Sequence, residues 1–162
     1  MAETNSVQFA AQYVTVPRGN IYMGGWRFQD FDYVQAANGT AADTIRLVKL
    51  PPQSVLDMFR SWFEWSGWTS GATLSIGWAA YTTMEGAAVA ASAAGLLSVV
   101  SLSVDGAWSH GMLVVATPDD SLPVVGRKDF NNRDEVTLYA TIGTQAPGAA
   151  DILNGSFCVK HP

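Results

Sequence analysis

Past residue 42, apolar and polar side chains alternate with a period of two over much of the chain, the signature of half-buried strands. The cleanest case is "EVTLYATIG", where Val136, Leu138, Ala140 and Ile142 share one face and Thr137, Tyr139 and Thr141 the other. "TLSIGW" sets Leu74, Ile76 and Trp78 against Thr73, Ser75 and Gly77, and "LLSVVSLSVD" aligns Leu96, Val100, Leu102 and Val104. "DTIRLVKLPP" is a β-branched run stopped by Pro51 and Pro52. "MLVVA" is apolar on both faces, as an internal strand is, and "GSFCVK" supplies a last strand. Short strands joined by Gly and Pro turns predict an all-β chain: an antiparallel β-sandwich or jelly roll with at most one short helix. The helix candidate is residues 87–94, bounded by Gly86 and Gly95.

One segment breaks the pattern. In "SVLDMFRSWFEW", Val55, Met58, Phe59, Trp62 and Phe63 recur at the spacing of an amphipathic helix, and Ser54 with Asp57 resembles a capping box. Read as a strand, both faces mix apolar and charged residues.

Residues 1–42 differ from the rest of the chain. "IYMGGWRFQDFDYVQAANGTAAD" is aromatic without a clean period. Tyr22, Trp26, Phe28, Phe31 and Tyr33 are too apolar for a solvated tail, so this stretch is expected to be an extended N-terminal arm lying on its own domain or on a neighbour. The β-sandwich domain is then residues 43–162.

Charge narrows the function classes. The chain carries a net charge of -5, and no Lys or Arg falls between residues 61 and 126. Nucleic-acid binding needs clustered cations to displace counterions from phosphate, so nucleic acid is not an expected partner. The uncharged run from Gly86 to Val104 is flanked by Glu85 and Asp105 and alternates with serine in its second half, which argues against a membrane span. Cys158 is the only cysteine, so no internal disulfide forms. "MAETNSVQFA" has no secretory pattern, and the sequons at Asn38 and Asn154 are read as chance matches.

Candidate chemistry is sparse. The two histidines, His110 and His161, have no ligand spacing around them, and neither metal nor cofactor is expected. "DFNNRDE" opens like a calcium loop but puts Arg133 at an oxygen-ligand position and Asp134 where the turn glycine belongs, so it reads as a polar turn. "AWSHG" fits a relaxed nucleophile elbow at Ser109. That motif works only on a strand-to-helix turn, and here "MLVVATP" follows, so a β-turn carrying Asp105-Gly106 is the plainer reading. The expectation is a protein that is not an enzyme.

Four of the six tryptophans crowd into "SWFEWSGWTSGATLSIGW". Trp78 is core by alternation, and Trp62 and Trp65 flank Phe63 and pack with it. Trp68 sits in the turn "SGWTSG" with no interior assignment, so it joins Tyr22, Trp26, Phe28, Phe31 and Tyr33 as an expected protein-interface residue. The alternative is a carbohydrate-binding or host-attachment module that stacks sugars on exposed tryptophans.

The order "ADTIRLVKLPPQSVLDMF … TLSIGW … DEVTLYATIG … GSFCVK" resembles the capsid decoration, or cement, proteins of tailed bacteriophages, over residues 42–160. The resemblance implies β-sandwich or jelly-roll subunits that form small symmetric oligomers, dimers or trimers, on the capsid exterior and bridge neighbouring major capsid protein subunits. It offers no catalytic residues. It also places residues 55–65 in a strand, and the expectation follows it over the helical period.

Overall fold

Strict alternation in residues 136–143 produces β12 (Val136–Gly143), whose even-numbered side chains are buried one after another. It is the centre of a five-stranded sheet. The computed structural model describes residues 3–5, 25–102, 106–109, 112–114 and 126–160. On one side β12 pairs with β3 (Thr44–Leu50), and on the other with β5 (Thr73–Trp78), both antiparallel. The sheet ends in β8 (Ser92–Ser101) beyond β5 and in the short β1 (Glu3–Asn5), parallel to β3. β3 carries a bulge: Leu138 faces Val48 but Tyr139 faces Arg46, and the extra residue lets Leu47 and Val48 both be buried.

The second sheet is built around β13 (Ile152–Lys160), which lies between β2 (Trp26–Val34) and β4 (Val55–Ser66). β9 (Gly106–Ser109) pairs with the second half of β4, β10 (Met112–Val114) pairs with β9, and β11 (Arg127–Asp129) pairs with the first half of β4. A two-stranded ribbon, β6 (Tyr81–Thr82) with β7 (Ala88–Val89), forms a separate small sheet whose Tyr81 packs into the core against Phe130. No helix occurs among the described residues; residues 87–94, the helix candidate, supply β7 and the start of β8. The chain crosses repeatedly between the two sheets, giving the all-β sandwich of jelly-roll type that the alternation predicts.

Residues 26–34, expected in the N-terminal arm, form instead a full strand of the body, paired with β13 from Trp26↔Lys160 to Val34↔Ile152. Their lack of a clean period reflects an aromatic outer face as well as an aromatic inner one. Phe31, Phe157 and Phe63 come from three adjacent strands and meet at the centre of the core, with ring centroids 5.4 Å (Phe31–Phe157) and 5.3 Å (Phe63–Phe157) apart. Gly155 makes room for them: a Cβ there would stand 2.8 Å from the Phe31 ring.

Residues 55–66 are a strand, and the helical spacing has a specific cause. Asp57 faces Cys158 and Trp62 faces Ser156, so residues 58–61 of β4 oppose Phe157 alone. Three extra residues, an odd number, invert the alternation. Leu56 and Met58 point inward before the bulge, Phe63 and Trp65 after it, and Phe59 and Arg60 both face out. The interruption is sealed by Ser61. Its hydroxyl accepts the Cys158 N–H at 3.1 Å and donates to the Asp57 carbonyl at 2.8 Å, replacing the ladder bonds that the bulge removes. Ser61→Ala leaves a buried N–H and a carbonyl without these partners. A loss of about 2 kcal/mol is expected in urea unfolding; an unchanged midpoint would show that the ladder closes without the hydroxyl.

Candidate interaction face

The outward positions of the six-stranded sheet form rows across β2, β13 and β4, fixed by the strand register. At one end lie Trp26, Lys160 and Val55, then Phe28, Cys158 and Asp57. After the bulge come Asp30, Ser156 and Trp62, then Asp32, Asn154 and Glu64, then Val34, Ile152 and Ser66. The expected interface residues divide on this frame. Trp26 and Phe28 lie on the outer face and are half-buried. Phe31 and Tyr33 alternate to the opposite face and are buried in the protomer's own core, so a partner would not reach them. Tyr22 lies outside the described residues.

Trp68 is also interior. It is 6% exposed, and its indole N–H donates to the Ile152 carbonyl at 2.7 Å. The turn after β4 folds the ring back under the start of β13, a placement that depends on tertiary structure and leaves no local signature. Trp65 is buried and Trp78 packs on the rim of the core, as their pattern indicates. Trp62, expected to pack, is 37% exposed, because the bulge turns it outward.

Sequence reasoning did not single out Phe59, Arg60 and Arg127. Phe59 is 57% exposed at the crest of the bulge. The guanidinium groups of Arg60 and Arg127 sit over the Trp26 ring, 5.5 and 5.0 Å from its centroid. Such contacts are worth on the order of 0.5–1 kcal/mol each when exposed. Arg60 also pairs with Asp57 at 3.5 Å. The one available signal was the pair Asp57 and Ser61, two short polar residues inside a strand that bond to nearby backbone instead of the ladder.

Cys158 lies in the middle of this face yet is fully buried. Burial pushes its thiol pKa up, the Asp57 carboxylate adds to the rise, and Arg60 opposes it through its charge and a hydrogen bond. A thiol that is both covered and protonated reacts slowly. Native protein at mildly alkaline pH is expected to resist a disulfide-exchange reagent until denaturant is added. Prompt stoichiometric labelling would mean that the face opens readily.

Elsewhere the described surface includes polar turns. "DFNNRDE" is one. Its Asn132 is buried and bonds to backbone, while Asn131 donates to both Glu85 oxygens at 2.7 and 2.8 Å. That contact, above all, lowers the Glu85 pKa. Among the described residues no group of three or more His, Cys, Asp or Glu is placed to hold a metal ion. Ser109 pairs with Met112 across the β9–β10 hairpin, so it precedes a strand-to-strand reversal and not the strand-to-helix turn of a nucleophile elbow. His110 and Asp105 lie outside the described residues, and Gly106, expected in a turn, begins β9.

Two crossed-over sheets, one of them with an aromatic and charged outer face, define an all-β sandwich of the jelly-roll class. Among solved structures the chain resembles one from the capsid of Ralstonia phage GP4, with a TM-score of 0.65 over 99% of both chains at 14% identity. A much weaker likeness, TM-score 0.40 at 13% identity, covers 82% of this chain and 33% of a chain in the structure of infectious bursal disease virus Gx strain. The GP4 likeness is one of fold. No family model and no curated protein matches this chain.

Proposed function

We propose that this chain is a virion structural protein that decorates a bacteriophage capsid from outside, bridging neighbouring major capsid protein subunits. The observation that carries the proposal is the end-to-end likeness to a chain of a phage capsid, 99% of each chain. The net charge of -5 favours the exterior of a shell over its DNA-filled interior. Many identical weak contacts across a lattice give tight retention through multivalency.

The pairing of β2 with β13 sets where a deletion of the leading segment has to end. Deleting residues 1–40 would remove β2 and strip one side of β13. Ending the deletion at residue 24 spares β2 and, among the described residues, takes the three-residue β1 from the edge of the other sheet. The test is co-sedimentation with purified capsids that lack their decoration protein. The full chain is expected to pellet with them, and the chain lacking residues 1–24 to stay in the supernatant while melting cooperatively. A full chain that never pellets overturns the virion role. A truncated chain that pellets as well as the full one removes the leading segment as the docking element.

A further inference from the structure

The two sequon asparagines share a second property: each is followed by glycine, as Asn38-Gly39 and Asn154-Gly155. Asparagine before glycine is the dipeptide most open to spontaneous loss of ammonia. The glycine nitrogen attacks the asparagine Cγ, and no Cβ on the glycine stands in its way. The fold holds the two sites differently. Gly155 is buried in mid-strand, with β2 on one side of β13 and β4 on the other, so its nitrogen is freed only when the sheet comes apart. Asn38 is exposed in the β2–β3 connection, which a short clasp ties to the β12–β13 connection. The Gly39 N–H donates to the Pro147 carbonyl at 2.9 Å, and the Ala149 N–H donates to the Asn38 side-chain oxygen at 2.9 Å. Beside them the Gln35 N–H donates to the Asp151 carbonyl at 2.9 Å and the Ala150 N–H to the Gln35 carbonyl at 2.8 Å.

We propose that Asn38 is a modification site: the folded chain deamidates there unaided, and the reaction opens the clasp for good. The clasp acts on the reaction in two ways. The bond to Pro147 occupies the nucleophile, so attack waits for a local opening of the two connections. The bond from Ala149 then assists, because it aims an N–H at the oxygen on which negative charge develops. The Gly39 nitrogen gives its proton to hydroxide and bonds to Cγ, the Cγ–N bond breaks, and ammonia departs from a five-membered succinimide. Water adds to either succinimide carbonyl, so the net change turns a carboxamide and water into a carboxyl group and ammonia, with no oxidant or cofactor. One product is aspartate at position 38, which keeps an acceptor for the Ala149 N–H. The other is isoaspartate, whose main chain runs through the side-chain carbon and is longer by one methylene, about 1.5 Å. Gly39 has no room for that length: even a Cβ would stand 2.5 Å from Asp43 Oδ2 and 2.7 Å from the Pro147 ring. The Gly39–Pro147 bond is lost in this product. The site does not rest on the virion role, and its test uses no capsids.

The experiment ages the full chain at mildly alkaline pH and follows both asparagines by peptide mapping with mass spectrometry, in buffer and in concentrated urea. In buffer, Asn38 is expected to convert at least tenfold faster than Asn154, and at least tenfold more slowly than it does in the urea-unfolded chain. The aged native sample is expected to gain a second, earlier melting transition that grows with its isoaspartate fraction. Asn38→Gln, which cannot close the five-membered ring, is expected to keep a single transition throughout. Should that variant fail to fold, wild type stored at mildly acidic pH, where the amide nitrogen keeps its proton, serves as the control. Asn154 reacting less than tenfold more slowly than Asn38, an Asn38 that stays intact in the native chain, or a native rate less than tenfold below the unfolded rate overturns the proposal. So does an isoaspartate-rich sample that melts like fresh protein, or a control that acquires the early transition.

Discussion

Trp68→Ala is expected to destabilise the protein by about 4 kcal/mol, within the range for buried large aromatics. For a chain of this size that is a fall of roughly 8–16 °C in melting midpoint. Two losses combine. The indole leaves a cavity between the β4–β5 turn and the start of β13, and the Ile152 carbonyl loses the N–H that approaches it at 2.7 Å. Gly67, at φ 83°, supplies the left-handed step that turns the chain toward the interior just before the ring. Trp68→Phe separates the two losses. It keeps most of the packing and drops the hydrogen bond, so it should recover more than half of the deficit. A thermal melt of Trp68→Ala within 2 °C of wild type, on the order of 1 kcal/mol or less, would mean that the ring is a surface group after all.

The second large effect belongs to Asn132. Its amide nitrogen donates to the carbonyls of Pro51, at 2.9 Å, and Asp134, while its side-chain oxygen accepts the Ser54 N–H at 3.0 Å. One buried side chain thereby ties the β3–β4 connection to the β11–β12 connection. The backbone reinforces the tie, with the Gln53 N–H donating to the Asn132 carbonyl and the Phe130 N–H to that of Ser54. Asn132→Ala strands the buried Ser54 N–H and removes the amide donor from the Asp134 carbonyl, while the Pro51 carbonyl keeps the Ser54 hydroxyl at 2.6 Å. The expected cost is about 3 kcal/mol in denaturant unfolding. Asn132→Asp is expected to do no better, because it keeps the acceptor for Ser54 but turns an anion toward two carbonyl oxygens. Equal stability of Asn132→Asp and wild type would show that solvent reaches the site.

Most of the body was legible because most strands are buried on one face only. Residues 136–143 and 73–78 alternate as written and pair as alternation requires. The failures share a cause: each is a place where tertiary structure resets the local rule. In β4 the three extra residues opposite Phe157 turned a strand into an apparent helix, and family resemblance rather than periodicity placed it correctly. In β2 two aromatic faces, one for the core and one outside, hid the alternation and made the edge strand that pairs along the whole of β13 look like part of an extended arm. Trp68 and Trp62 exchanged their expected places, the first drawn inside by a turn and the second turned out by the bulge. Arg127 joins Trp26 only through β11–β4 pairing, a contact between residues far apart in the chain for which no sequence signal exists.

The position of β13 bears on how the molecule reaches its native state. β2 and β4 never pair with each other; each waits for the same strand, far downstream of both in the chain, to slide in between. Until it does, Phe31 and Phe63 have no Phe157 to close over, and both strands present open edges to the solvent. Closing such distant pairs is slow because the loop entropy must be overcome before any contact rewards it. The rate-limiting event in folding is therefore expected to be the docking of residues 152–160, and aggregation during expression to rise or fall with whatever delays that step.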